Sequence, residues 1–99
     1  MNIIIIGAGE VGYHIANKLS KGNDIVIIEK NSDKVKRIPE DLDVGTICGL
    51  GSNPTILEEA GIKSADMLIA VTDSDETNIV ACLAANLLSP SISKVSRIR

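Results

Sequence analysis

Four consecutive isoleucines, Ile3 to Ile6, run without a spacer into Gly7-Ala8-Gly9-Glu10-Val11-Gly12. An unbroken run of β-branched apolar residues suits a strand buried on both faces, because a strand with one wet face would alternate apolar and polar positions. The glycine cluster behind it permits a tight turn, and the residues that follow have helical spacing. Val11, Ile15, Ala16 and Leu19 recur on one face, Asn17, Lys18 and Lys21 on the other, and Gly22-Asn23 ends the pattern. The opening of the chain therefore specifies a strand, a turn and a helix, and the strand must belong to a covered sheet.

The same alternation continues. Apolar runs recur at Ile25 to Ile28 and Met67 to Val71, with a weaker one from Val44 to Cys48 and a last from Val95 to Ile98. A second helix is expected to start after Asn31 or Ser32, to bury Val35 and Ile38, and to be limited by Pro39, which has no N–H to donate. The third has a marked start and stop: Asn53 as cap, Pro54 at the first helical position and Gly61 as terminator, with Ile56, Leu57 and Ala60 facing inward. A fourth begins near Ser74 or Asp75, carries Glu76 where a carboxylate complements the helix dipole, and runs to Leu88 before Ser89-Pro90. Strand and helix in alternation predict an α/β fold: a Rossmann-like doubly wound parallel sheet of about five strands, order 3-2-1-4-5, with helices on both faces and right-handed crossovers.

Composition narrows the partners. With 44% hydrophobic and 23% charged residues, the chain has the balance of a globular domain with a packed core. Tyr13 is its only aromatic residue, so platforms for stacking bases are absent, and a net charge of −3 with no clustered Lys or Arg argues against nucleic acid as a partner. Cys48, Cys82 and the single His14 do not make a metal-ligand set; the cysteines are expected as free, buried thiols in a reducing compartment. The apolar runs are far shorter than the roughly 20 residues that cross a bilayer, and the start lacks a signal peptide's basic residues and cleavage site. A cytoplasmic chain with no direct membrane insertion is expected.

Gly7-x-Gly9-x-x-Gly12 is a weak motif alone, but here it follows a buried strand and opens an amphipathic helix. In that setting Gly7 can make the tight turn, Gly9 can let backbone approach a pyrophosphate, and Gly12 can let helix and strand pack closely. The helix N-terminus supplies N–H groups and positive dipole to the anion. The second half of such a fingerprint is an acid at the end of strand two, about 20 residues on, where Glu29 closes the run IVII. Its carboxylate can accept both ribose hydroxyls of an adenosine, and it would repel a 2′-phosphate, which favours NAD or another adenine nucleotide over NADP. Lys30 beside it partly offsets that repulsion.

Thr72-Asp73-Ser74-Asp75-Glu76 follows the fourth strand, at the sheet edge where open α/β sheets bind ligands, and the same residues can cap the fourth helix. That helix is apolar nearly all round from Ile79 to Leu88, which fits either complete burial or a face shared with another subunit. In so short a chain the second is favoured.

Four segments together, IIIIGAGEVG, CGLGSNPTILEEAG, ADMLIAVTDSDETNIVACLAANL and the terminal SRIR, resemble the nucleotide-binding domain of potassium-transport regulators, the Trk-type uptake subunit and its RCK (KTN) relatives. The resemblance covers nearly the whole chain, and the AVTDSDETNIVAC stretch carries it more specifically than the glycines do. It implies backbone contacts to phosphates from Gly7, Ala8, Gly9, Glu10 and Val11, and ribose binding by Glu29. It also implies adenine-side contacts from Leu50 and Gly51, contacts from Thr72 and Asp73, and an arginine, Arg97, reaching toward ligand phosphate or a neighbouring subunit. Many relatives have an acid where this chain has Leu50, which can offer only backbone polarity and apolar contact.

On this resemblance residues 1–99 are a single Rossmann-type nucleotide-binding (RCK N-terminal) domain, in a truncated or minimal version. The implied function is regulatory: NAD or NADH, or ATP, ADP or AMP at the same site, controls a membrane potassium transporter or channel at the inner face of the membrane, with the chain in a homodimer or larger ring. A competing reading is the cofactor-binding half of an NAD-dependent oxidoreductase or an S-adenosylmethionine-binding enzyme. Against it, no catalytic set is legible: His14 is expected to face solvent, and neither cysteine has a base nearby in sequence. A structural module with an empty site is the third reading, which saturable nucleotide binding would exclude.

Overall fold

The computed structural model describes residues 1–97. Its elements run β1 (Asn2–Ile6), α1 (Glu10–Leu19), β2 (Asp24–Glu29), α2 (Ser32–Lys36), β3 (Gly45–Cys48), α3 (Pro54–Glu59), a 3₁₀ turn (Ile62–Ser64), β4 (Met67–Ala70), α4 (Asp75–Leu88) and β5 (Ser93–Ser96). The strands form one parallel sheet in the order β3-β2-β1-β4-β5, the Rossmann-like topology that the alternation predicts.

The isoleucine run sits at the centre. Successive side chains on a strand point to opposite faces, so Ile4 and Ile6 join Leu57, Ala81 and Ala85 of α3 and α4 on one side, while Ile3 and Ile5 meet Ala16 of α1 on the other. All four isoleucines are at most 2% exposed. Each contributes roughly 2 kcal/mol of burial free energy. A sheet covered this way on both faces has no place for a polar residue between Ile3 and Ile6, and the polar residue of β1, Asn2, stands at its exposed start.

Helix ends follow their local chemistry. Asn31 accepts from the N–H groups of Asp33 and Lys34 and starts α2; Asn53 accepts from Thr55 N–H and starts α3, with Pro54 behind it. Gly61 ends α3 at φ +87°, a left-handed conformation that costs glycine little. Ser74 accepts from Thr77 N–H and caps α4.

Several expectations are corrected. β5 begins earlier than Val95, because Ile92 is buried ahead of it and pins the register from Ser93; Ile98 lies outside the described residues. Val11 is exposed, since the inward positions of α1 are taken by Gly12 and Ala16. α2 buries no residue fully: Val35 is half-buried, and Ile38, past the end of the helix, is half-buried against the core on the α1 side of the sheet. Cys48 is exposed at the end of the edge strand β3 and Cys82 is half-buried, so neither is the enclosed thiol expected.

Candidate functional site

α1 packs on one face of the sheet and α4 on the other. The connections leaving β1 and β4 therefore depart to opposite sides, and a crevice opens between them at the carboxyl edge of the sheet. It holds a cavity of about 450 Å³ that runs from Glu29 and Leu50, past the glycine turn, to Thr72 and Arg97.

The three glycines divide by physical role. Gly7 has φ +108°, and a Cβ there would lie 3.1 Å from the backbone of Val71 and Thr72, so the turn itself demands glycine. Gly12 faces inward from α1, where a Cβ would sit 1.9 Å from the Gly7 carbonyl oxygen. Its absence of side chain is what lets α1 approach the turn. Gly9 differs from both: its φ of −71° suits any residue, and nothing lies within 4 Å of where its Cβ would be. The fold makes no demand for glycine at position 9, and Gly9 lines both this cavity and a second one beside α2.

The donors of the turn are partly committed. Gly7 N–H donates to the Ile28 carbonyl at 2.8 Å, and Ala8 N–H donates to Glu29 Oε1 at 2.7 Å. The first intrahelical bond of α1 runs from Tyr13 N–H to the Gly9 carbonyl. The amides of Glu10, Val11 and Gly12 therefore have no intrahelical acceptor, and Glu10 and Val11, which line the cavity, carry those that an anion can meet there.

Glu29 is only 6% exposed, yet both its oxygens are satisfied: Oε1 by Ala8 N–H and Oε2 by Asn31 N–H at 2.8 Å. The carboxylate thus ties the end of β2 to the glycine turn and to the start of α2. A carboxylate has about four lone-pair sites, so two remain for ribose hydroxyls. Lys30 and Lys34 stand at the same wall of the cavity.

Of the residues expected at the site, Gly7, Gly9, Glu10, Val11, Glu29, Leu50, Gly51, Thr72, Asp73 and Arg97 line this cavity together. Ala8 and Gly12 do not: Ala8 is turned toward Glu29 and a second cavity beside α2, and Gly12 is buried beneath the turn. Gly51 is buried with a Cβ position 2.3 Å from the Ile6 side chain, so β1 requires glycine there. Leu50 is half exposed at the rim. His14 is exposed on α1 beside Tyr13, with ring centroids 5.7 Å apart.

Asn78 was not legible as a site residue. It is fully buried on α4, and its side chain joins Thr72 and Arg97. The sequence signal is an Asn four residues past the Ser74 cap, immediately before the apolar stretch that starts at Ile79. Among the described residues no group of His, Cys, Asp and Glu is placed to hold a metal ion, and no helix is long and apolar enough to cross a membrane.

A family model described as the TrkA-N domain matches residues 3–99. The chain is 43% identical over 100 residues to the Trk system potassium uptake protein TrkA of Halomonas elongata, a match that covers all of this chain and 22% of that protein. Among solved structures it is similar to the Shewanella denitrificans Kef CTD in AMP-bound form, with a TM-score of 0.82 and 24% identity over 98% of this chain and 58% of that one. It is also similar to the GsuK channel bound to NAD, with a TM-score of 0.81 and 23% identity over 98% of this chain and 18% of that one. The chain spans about a fifth of the length of the curated relatives it matches.

Proposed function

The chain belongs to the TrkA-N domain family, and from that premise we propose that it is a non-catalytic regulatory domain whose bound nucleotide is a signal. The ligand is NAD or NADH, or ATP, ADP or AMP at the same site, and the response is a change in a membrane potassium transporter at the inner face of the membrane. The observation that carries the reading is Gly9: a glycine the fold does not require, at the N-terminus of α1, facing an open cavity. The pyrophosphate or terminal phosphate lies over the amides of Glu10 and Val11, the ribose hydroxyls donate to Glu29, and the adenine reaches the rim at Leu50 and Gly51. Thr72, Asp73 and Arg97 face the remainder of the ligand.

A nucleotide can act as a signal only by binding two conformations of the assembly unequally. The apolar face of α4 supports self-association as the route: Ile79, Leu83 and Leu87 are 53%, 59% and 76% exposed on one side of the helix. A homodimer or larger ring would cover that face and leave the crevice open.

Gly9→Asp tests the turn directly. The substitution brings a carboxylate to the turn where phosphate would lie, and its Cβ has no protein atom within 4 Å. Calorimetric titration with NADH and with ATP should show saturable binding to the wild-type chain and none to the variant; equal affinities would sink the assignment.

A further inference from the structure

Asn78 is, with Glu29, one of two buried polar or charged residues among those described, and it lies behind the cavity wall without lining it. All of its hydrogen-bonding groups are used. Its Oδ1 accepts from Thr72 N–H at 2.9 Å and from the Thr72 hydroxyl at 2.7 Å. Its Nδ2 donates to the Thr72 carbonyl at 3.2 Å and to the Arg97 carbonyl at 3.0 Å. A backbone N–H needs an acceptor and two carbonyls need donors, so the amide can sit only this way round. Thr72 is then held on three sides, since its hydroxyl oxygen also accepts from Ser74 N–H at 3.1 Å.

The Thr72 and Arg97 segments leave paired strands, and Arg97 N–H donates to the Ala70 carbonyl at 3.0 Å; what Asn78 adds is a tie from α4 to both segments beyond the last strand pairing. Thr72 follows β4, Arg97 follows the edge strand β5, and Asn78 rides on α4, which is anchored through Ala81 and Ala85 to the core. We infer that Asn78 is a positioning residue: it sets the Thr72 and Arg97 segments at the wall of the crevice beyond the pyrophosphate, and makes them move together. This inference rests on the nucleotide reading above. With the adenosine placed toward Glu29 and Leu50, the second nucleoside of a dinucleotide must lie across the switch point, over Thr72 and Arg97. AMP does not reach that side. Asn78 therefore acts on a dinucleotide and not on a mononucleotide.

The test is the ratio of NADH to AMP affinity in Asn78→Asp. The variant keeps the shape but sets an acceptor against two carbonyl oxygens, so both Nδ2 bonds are lost. NADH affinity should fall by about tenfold while AMP affinity stays within about twofold. A merely structural role would weaken both alike. Equal losses, or no loss, overturn the inference and leave the nucleotide reading standing, and so does wild-type binding confined to AMP or to NADH alone. Wild-type binding of ATP alone likewise overturns the inference, and binding of none of NADH, AMP and ATP overturns the reading itself. Should Asn78→Asp fail to fold, nuclear magnetic resonance of the wild-type chain decides: the Asn78 side-chain amide, which touches no cavity, should shift on adding NADH and stay put on adding AMP. Shifts of equal size, or none with either, overturn the inference.

Discussion

Replacing Gly9 and Gly12 separately by alanine should split the glycine motif into a binding part and a folding part. At Gly12 the new Cβ would meet the Gly7 carbonyl oxygen at 1.9 Å and its carbon at 2.9 Å, both backbone atoms that no rotamer can move. Relieving the contact requires α1 to retreat from the turn by more than about 1 Å, because carbon atoms pack no closer than roughly 3.5 Å. Overpacking of this kind costs about 1–3 kcal/mol or more, against a gain of about 1 kcal/mol in helix propensity. At Gly9 nothing lies within 4 Å and φ is −71°. There the substitution loses about 0.5–1 kcal/mol of N-cap preference and regains about 0.4–1 kcal/mol by restricting the unfolded chain, so stability barely changes. Because 1 kcal/mol moves Tm by about 4–8 °C in a domain of this size, Gly9→Ala should melt within about 4 °C of wild type. Gly12→Ala should melt several degrees lower. Calorimetric titration with NADH should then show the reverse order of interest: Gly9→Ala, though folded, loses at least about tenfold in affinity, or 1.4 kcal/mol. Scanning calorimetry and titration on the same samples check both. Undiminished binding by Gly9→Ala would refute the assignment of the open space to phosphate, and a large loss of stability would refute the claim that the fold is indifferent to glycine there.

Three further outcomes follow from the geometry. Glu29→Gln leaves one of the Ala8 and Asn31 amides facing a donor, which should cost about 2 kcal/mol in urea unfolding even without nucleotide; a change under about 0.5 kcal/mol would show that the carboxylate does not hold the turn. Leu83→Asp on the exposed face of α4 should convert a dimer to a monomer in sedimentation with little change in helix content, whereas a wild-type chain already monomeric at high concentration would contradict the self-association. Burial pushes the Cys82 thiol up, partly opposed by its hydrogen bond with Ser96 and the charge of Lys94, while Cys48 is exposed. Peptide mapping after iodoacetamide treatment should therefore find Cys48 modified first, with Cys82 reacting more slowly and gaining as pH is raised; equal rates near neutrality would contradict this.

The central strands were legible because burial on both faces leaves an uninterrupted apolar signature, and Ile3 to Ile6, Ile25 to Ile28 and Met67 to Ala70 carry it. The edges were less so. β5 is exposed along its length, so its residues carry no such pattern and its register depends on Ile92, a residue outside the strand. That a glycine turn and an acid would meet at one crevice was foreseeable from their fixed separation in sequence. The division among the glycines was not, because it depends on what stands opposite each absent Cβ: the Val71–Thr72 backbone for Gly7, the Gly7 carbonyl for Gly12, open space for Gly9.

What the sequence determined by itself is the order of strands and helices, the capping residues that bound α3 and α4, and the place where a phosphate turn would fall. Those are short-range properties, set by periodicity and by side chains bonding to their own backbone neighbours. Only the tertiary structure decided that Ala8 N–H is committed to Glu29, that Val11 faces out of the core, and that Asn78 binds the backbones after β4 and β5 into one unit. The bonds from Ala8 to Glu29 and from Asn78 to Arg97 join groups 21 and 19 residues apart, and they exist only once the sheet has brought its carboxyl ends to one edge; the outward turn of Val11 likewise depends on which face of α1 the sheet covers.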